Sequence, residues 1–287
     1  MGQISRVGKI RRYAAHLLKA FLTLGKEPQS FLGAKWITFL LRICPRSKKR
    51  ALALRILALS PHYFYKDIDP EYSKLSFSEF LEAEYNRNRV TREKIYSFIL
   101  RPYLDKCFRV LDYGCGPGFL AKTVSANVQK VYAVDISKGV LECAKVINSA
   151  ENIEYLLADS NGLSCIPDRS LDVVYSIAVI QHVTNDIFEN ILKICSEKLR
   201  PGGKMVFQVQ IEHPKWKTEE ECRANTSLLG KVKLRYALHC FSKTSRYFHE
   251  TLPKYGFDIL ALESIERLCD EKFDDVCSQH LLTATLH

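Results

Sequence analysis

Three glycines at regular spacing form the segment of this sequence with the clearest chemical meaning. Residues 110–118 read VLDYGCGPG, so Gly114, Gly116 and Gly118 follow an apolar strand pattern and precede a helical one. Glycine lets the backbone turn sharply and approach a ligand without a Cβ clash. The N-terminus of the following helix adds partial positive charge. A dinucleotide-binding turn places its third glycine one residue later, where this chain has Phe119. The segment therefore predicts a tight ligand-binding turn of another type.

Acidic residues end the next two predicted strands. Asp135 closes the apolar run VYAVD, and Asp159 follows the run YLLA. A carboxylate at the tip of the second strand can accept hydrogen bonds from both hydroxyls of a ribose, and one after the third strand could accept an adenine amino group. Ser137 can cap the next helix, so Asp135 is not needed for capping. Both acids lie at carboxyl ends of strands, where open α/β sheets bind ligands.

Strand and helix patterns alternate along the chain around these residues. Strands are predicted at residues 109–113, 130–135, 152–157, 171–177, 204–210, 257–264 and 279–286, and helices at 78–104, 137–148, 186–199 and 242–255. Strands rich in Val, Ile and Leu that alternate with helices indicate a parallel sheet covered on both faces. Residues 211–240 interrupt this alternation.

These elements, in this order, resemble class I S-adenosylmethionine-dependent methyltransferases, closely over residues 109–210 and loosely to the C-terminus. The resemblance implies an enzyme, S-adenosylmethionine as its cofactor, and an α/β, doubly wound, mostly parallel seven-stranded Rossmann-like sheet with a reversed last strand. It implies that Asp112, Gly114, Gly116 and Gly118 form the loop around the methionine part of the cofactor, with Cys115 as a small side chain in the loop. Asp135 is then the acid that binds the ribose, and Ile136, Asp159 and Ser160 contact the adenine side. Ser176 and Gln181 flank the cofactor. The resemblance also implies that the insertion at residues 211–240 shapes the acceptor pocket.

A methyltransferase must align its acceptor and help remove a proton when the attacking group is O–H or N–H. His182 and His213 are the candidate general bases, because each follows a strand whose carboxyl end faces the predicted site. A structural hydrogen bond for His182 and a solvated loop position for His213 are the alternatives. Tyr85, Arg87 and Arg89 could close over the cofactor or lie on an exposed helix face.

The sequence is less specific about the acceptor. An Asn-Pro-Pro-Tyr-type motif is absent after the fourth strand, where residues 176–179 read SIAV, and this weighs against amide or nucleobase nitrogen. We expect O-methylation of a small molecule, a glycan or a lipid intermediate. A non-catalytic, S-adenosylmethionine-binding partner or regulatory protein is the alternative, which the intact glycine turn and Asp135 disfavour.

The positive charge is concentrated at the N-terminal end. Residues 1–66 hold 14 of the 42 Lys and Arg residues and one of the 32 acids, so the rest of the chain is slightly acidic. Helical periodicity at 9–24, 31–43 and up to about Leu59 predicts a basic helical extension, followed by the catalytic domain at 67–287 with its core from 105. Such an extension could contact a membrane surface, bind nucleic acid or pack on the domain. Its aromatic residues fit an interface better than a phosphate groove, so we expect no nucleic acid partner.

The ten cysteines give no metal-binding pattern. They include no Cys-x-x-Cys pair and no zinc-type spacing with histidine, so we predict no metal site and expect buried, reduced thiols of a cytoplasmic protein. No secretory signal is evident, and the apolar stretch 31–44 is too short and too charged to span a bilayer. Cytoplasmic residence with peripheral membrane contact is left open.

Overall fold

A computed structural model describes residues 35–59, 74–159, 163–212, 216–225, 227–228, 230–231, 240–265 and 279–287. The helices are α1 (Lys35–Ile43), α2 (Arg46–Leu57), α3 (Phe77–Ile95), α4 (Phe119–Ser125), α5 (Lys138–Ile147), α6 (Asn185–Lys198), α7 (Glu219–Arg223) and α8 (Ser245–Thr251). The strands are β1 (Arg109–Tyr113), β2 (Lys130–Asp135), β3 (Ile153–Leu157), β4 (Leu171–Ser176), β5 (Leu199–Gln210), β6 (Phe257–Ser264) and β7 (Gln279–Leu286). A π-helical turn and a 3-10 turn (Tyr96–Leu100, Arg101–Tyr103) continue α3.

The seven strands form one sheet in the order β3-β2-β1-β4-β5-β7-β6. Strands β1 to β5 are parallel, and β7 runs antiparallel to both of its neighbours. This confirms the predicted seven-stranded sheet with a reversed last strand. The order turns back at β1 and β4, and open α/β sheets bind ligands at the carboxyl ends of the strands beside such a switch point.

Strand β5 begins earlier than the predicted Lys204. The structure starts it at Leu199, which pairs with Leu171, while Lys204 already pairs with Val173. Residues 200–203 of β5 thus lie opposite a single residue of β4, Asp172, and form a bulge. Gly202 adopts a φ of 74° within this bulge. The Pro-Gly-Gly sequence reads as a turn, but here it is an irregularity inside a strand.

Alternate side chains of the strands point to two separate cores. Val110 belongs to the core under α4 and α5, whereas the next residue, Leu111, belongs to the core under α6 and α8. Large side chains such as Phe188 and Phe207 are fully buried on the second face. The sheet is therefore covered on both faces, as the near-continuous apolar strands predict.

Helices α1 and α2 pack on the domain instead of standing apart from it. Ile37, Leu54 and Leu57 are fully buried in a third apolar cluster, together with Phe80 of α3 and Val140 of α5. Each such side chain contributes about 1.5–3 kcal/mol when buried. The described part of the basic extension is thus attached to the α/β domain through α3 and α5, while the predicted helix 9–24 and the boundary at residue 66 lie outside the described residues.

Candidate active site

Two glycines of the turn between β1 and α4, Gly114 and Gly118, have no room for a side chain. Gly114, Gly116 and Gly118 have φ values of 80°, 52° and 76°, a region that L-residues rarely adopt. A Cβ on Gly114 would lie 2.4 Å from Cγ2 of Val179, and one on Gly118 would lie 2.2 Å from Oη of Tyr155. Gly114 and Gly118 are therefore restricted to glycine by both backbone conformation and packing, and Gly116 by its backbone conformation. The amides of Gly114 and Gly118 donate to the carbonyls of Val134 and Cys115, which fixes the turn.

Asp135 is held at the tip of β2 by two backbone amides. Its Oδ2 accepts a hydrogen bond from the amide of Gly116 (2.9 Å), and its Oδ1 accepts one from the amide of Ser137 (2.8 Å). Burial raises the pKa of this carboxyl, and the two amides act against that rise. Ser137 caps α5 through the amide of Val140, as predicted. Because each carboxylate oxygen has a second lone pair, Asp135 can still accept hydroxyl donors.

Asp112 is a buried acid with an unsatisfied oxygen. Its Oδ2 has no hydrogen-bond partner among the described residues, and neither has the hydroxyl of its buried neighbour Tyr175. Burial raises the pKa of Asp112 to about 8, although the positive charge of Arg92 lowers it. An orphaned carboxyl beside a glycine turn fits a ligand that carries an ammonium group, as the methionine part of S-adenosylmethionine does.

Helix α3 supplies polar side chains that the sequence analysis overlooked. Glu84, Asn88 and Arg92 recur every fourth residue on one face of this helix, and the first two are buried. Glu84 accepts two hydrogen bonds from Arg87, at 2.7 and 2.9 Å. Arg92 is the residue whose charge reaches Asp112. The i, i+4, i+8 spacing of polar residues on an otherwise amphipathic helix was the available signal.

The three α3 residues named from the sequence have other partners. Tyr85 directs its hydroxyl to the carbonyl of Ile147 and the Oδ1 of Asn148, both at 3.4 Å. Arg89 pairs with Glu93 on the exposed side of the helix. Arg87 is engaged with Glu84. These contacts favour structural roles for all three.

The adenine side of the predicted site is partly described. Ile136 is 46% exposed directly after Asp135, which leaves an apolar surface available to a ring. Asp159 is exposed at the end of β3, and Ser160 lies outside the described residues. Cys115 is buried in the turn, and burial raises the pKa of its thiol well above the ordinary value, so the group stays neutral.

Ser176 and Gln181 lie at the end of β4. The hydroxyl of Ser176 is fully buried and donates to the carbonyl of Tyr113 at 2.8 Å, which links β4 to β1. Gln181 is buried, and its Oε1 has no partner within the described ranges. Gln181 therefore retains an acceptor for a ligand, whereas Ser176 already uses its donor. Both remain predicted cofactor contacts.

Of the two candidate bases, His182 is the one that lies within the described residues. Its Nδ1 lies 3.6 Å from Sγ of Cys240, and the carbonyl of Gln181 accepts a hydrogen bond from the amide of Phe241 at 2.7 Å. Burial raises the pKa of Cys240 to about 11, so the thiol is neutral near pH 7. The chain at 240–241 thus braces the loop after β4. His213 lies outside the described residues.

A cavity of about 140 Å³ adjoins this loop, lined in part by Glu219, Lys243 and Tyr247. The ammonium of Lys243 donates to Oδ1 of Asn185 at 2.6 Å, and its burial lowers the lysine pKa to about 8. The lysine ties α6 to the segment before α8. No described group of three His, Cys, Asp or Glu side chains is placed to hold a metal ion, and no described helix is long and apolar enough to cross a membrane.

Comparison with known proteins agrees with this geometry. Residues 111–207 match the family model described as a methyltransferase domain. The ubiquinone biosynthesis O-methyltransferase of Idiomarina loihiensis is 32% identical over 101 residues, which cover 34% of this chain and 41% of the relative. The enzyme of the same name from Nitrosococcus oceani is 26% identical over 143 residues, covering 49% of this chain and 56% of the relative. The chain thus spans about half the length of the curated relatives it matches.

One solved structure supports the fold alone. A chain from the complex between a methyltransferase activator and a methyltransferase of Haloferax volcanii has 14% sequence identity and a TM-score of 0.50, covering 70% of this chain and 95% of that one. Residues 111–207 thus match a methyltransferase domain, and the strand order and the glycine turn with its two acids are consistent with the class I, S-adenosylmethionine-dependent type.

Proposed function

We propose that this chain transfers the methyl group of S-adenosylmethionine to an oxygen atom of a small molecule, a glycan or a lipid intermediate. The observation that carries the proposal is Asp135, fixed at the tip of β2 by the amides of Gly116 and Ser137 beside a turn that admits only glycine. The names of the similar O-methyltransferases support oxygen as the acceptor atom and a hydroxyl-bearing lipid intermediate as the first acceptor class to test.

The residues that bind the cofactor have separable roles. Asp135 offers acceptor lone pairs to the ribose hydroxyls, and Ile136 offers an apolar surface to the adenine. Asp112 accepts from the ammonium of the methionine part, while Arg92 is the nearby cation for its carboxylate. The bound sulfonium supplies an electrophilic methyl group, so the protein contributes mainly alignment of the acceptor and removal of its proton.

His182 is the proposed base for that proton, and its tautomer decides whether it can act. When Nδ1–H points to Sγ of Cys240, Nε2 is the unprotonated nitrogen and is the atom that would accept the proton of an acceptor hydroxyl. When the thiol donates to Nδ1, Nε2 carries a hydrogen and the ring can only brace the loop. His213 is retained as the second candidate base.

Calorimetry with S-adenosylmethionine tests the first step. Asp135→Ala should weaken binding by about 1–3 kcal/mol, because a pair of ribose hydroxyls loses a charged acceptor. Asp172→Ala is the matched control, since this acid lies at the opposite end of β4 and pairs with Arg200. An unchanged dissociation constant in the Asp135 variant would refute the ribose assignment.

Labelled S-adenosylmethionine then tests the transfer. Incubation with lipid, glycan and polar fractions of a cell extract should give labelled product in one fraction. Mild base should then release labelled methanol from a methyl ester and leave a methyl ether intact. Tight cofactor binding without transfer to any fraction would favour the non-catalytic binding protein. Label on nitrogen or carbon would contradict the oxygen acceptor while leaving the methyltransferase assignment intact.

A further inference from the structure

We propose that the outer face of helix α1 docks on the surface of an anionic lipid bilayer. Trp36, Phe39 and Ile43 occur at positions i, i+3 and i+7, so they lie on one side of the helix. They are 37%, 60% and 62% exposed, whereas Ile37 and Leu41 on the opposite side are buried. One short helix therefore has two apolar sides, and the part of the domain that the structure describes covers one of them.

The exposed apolar stripe formed by Trp36, Phe39 and Ile43 belongs to a segment that is packed on the domain. Helix α2, which follows α1, buries Leu54 and Leu57 in the cluster shared with α3 and α5. Arg50 of α2 forms a two-pronged ion pair with Glu82 of α3, and its guanidinium lies 4.8 Å from the ring centre of Tyr85. Because this packing holds α1 in place, the exposed stripe is a surface of the folded domain.

The charge around the stripe identifies its partner. Residues 35–59 contain seven Lys and Arg residues and no Asp or Glu. Arg42 of α1 and Lys48 and Arg55 of α2 are exposed. Anionic headgroups attract such a one-signed basic surface, and the remainder of the chain beyond residue 66 is slightly acidic, so the attraction is confined to this end.

The exposed apolar side chains can insert into the interface of the bilayer, which electrostatic attraction alone would not achieve. Indole rings favour the headgroup level of a bilayer, where one edge is wet and the other is apolar. Nine helical residues span only about 13 Å, so α1 must lie flat on the surface. A nucleic acid would use the basic residues but give Phe39 and Ile43 no role, and we therefore assign the surface to lipid.

Trp36 provides a local reporter of docking. The chain has two tryptophans, so in a full-length Trp216→Phe background the emission comes from Trp36 alone. Vesicles of phosphatidylcholine with phosphatidylglycerol should shift this emission to the blue and allow quenching by brominated acyl chains. Vesicles of phosphatidylcholine alone should bind much more weakly, and added salt should weaken binding to the anionic ones.

Two pairs of double variants separate the apolar and the charged contributions. Phe39→Ser with Ile43→Ser should weaken vesicle binding about tenfold or more, while Phe98→Ser with Leu260→Ser, which removes side chains that are 45% and 55% exposed elsewhere, should not.

The contribution of the positive charges is tested with a second pair of double variants. Lys48→Gln with Arg55→Gln should weaken vesicle binding about tenfold, whereas Lys193→Gln with Lys254→Gln removes the same charge from other exposed sites and should have little effect. Equal losses in all four double variants would overturn the proposal, because binding would then be non-specific.

Two further results would also overturn it. Binding to anionic vesicles without a shift of Trp36 emission would show that the stripe does not enter the interface. A self-associated chain that becomes monomeric in the Phe39 and Ile43 double variant, with unchanged vesicle binding, would assign the stripe to a second copy of the chain. The inference does not rest on methyl transfer, since cofactor affinity of each variant is measured separately and should stay unchanged.

Discussion

Replacing Asp112 with asparagine should remove a pH dependence that the buried acid imposes on the fold. Burial raises the carboxyl pKa from its ordinary 3.8 to about 8, against the opposing charge of Arg92. A raised pKa means that the folded state favours the protonated form. The stability contribution of Asp112 is therefore complete below pH 3.8 and is lost progressively as the pH rises to about 8.

The magnitude follows from the size of the shift. Each pH unit between the two pKa values costs about 1.4 kcal/mol, because the unfolded chain has released a proton that the folded chain retains. Between pH 4 and pH 7 the loss is of the order of 4 kcal/mol. The introduced amide would be isosteric with the protonated acid and would not titrate, so the Asp112→Asn variant should be the more stable protein near neutral pH.

Cofactor binding should favour the ionised form of Asp112, whereas folding favours its protonated form. Below about pH 7.5 the free acid is protonated, and pairing with the cofactor ammonium requires the carboxylate, so binding should release about one proton. Affinity should rise roughly tenfold per pH unit from about pH 6 until the amine itself deprotonates near about pH 8. Arg92→Gln should move this rise to higher pH, because removal of the cation raises the pKa of Asp112 further.

Urea unfolding across the pH range and calorimetry in buffers of different ionisation enthalpy measure these two effects. Asp105→Asn is the matched control: this exposed acid has its pKa lowered by the Cys107 amide, so it stays ionised in both folded and unfolded chains between pH 5 and pH 8. If wild type and Asp112→Asn kept parallel stability profiles and released equal numbers of protons, the carboxyl would be ionised in the free protein and the reasoning would fail.

Two further substitutions test the turn and the acceptor side. Gly118→Ala should lower the free energy of unfolding by about 1–3 kcal/mol more than Gly202→Ala, because both glycines have positive φ but only the Gly118 Cβ would meet Tyr155; equal losses in urea titrations would exclude crowding. His182→Gln should lower kcat about 100-fold or more at unchanged cofactor affinity and abolish the acidic limb of the pH–rate profile; a weakened cofactor affinity with nearly normal kcat would instead assign His182 to bracing the loop.

Much of the sheet could be predicted from the sequence because its strands are buried on both faces. Four strands, β1, β2, β6 and β7, begin and end where the apolar runs predict. The glycine turn could also be predicted from the sequence, because the spacing of its three glycines reflects steric limits that act within a stretch of seven residues. Local information also identified Ser137 as the cap of α5, which left Asp135 available for a ligand.

The contacts of α3 could not be read in the same way. Glu84, Asn88 and Arg92 are residue types common on solvated helix faces, and only the docking of α3 on the domain buries the first two and half-buries Arg92. Tertiary packing supports one of the three interpretations of the basic extension, because helix α1 packs on the domain through one side. Its other side is exposed, and membrane contact through that side stays a prediction.

Phe119 connects the cofactor turn to the basic helices. This residue occupies the position at which a dinucleotide-binding turn would have its third glycine, and it is buried in the cluster that holds Ile37 and Leu54. Its ring lies 5.3 Å from that of Tyr85 on α3. The side chain that distinguishes this turn from a dinucleotide-binding one therefore also belongs to the apolar cluster through which α1 and α2 pack on the domain. The lipid docking proposed for α1 and the cofactor binding proposed for the turn would therefore take place on one packed unit.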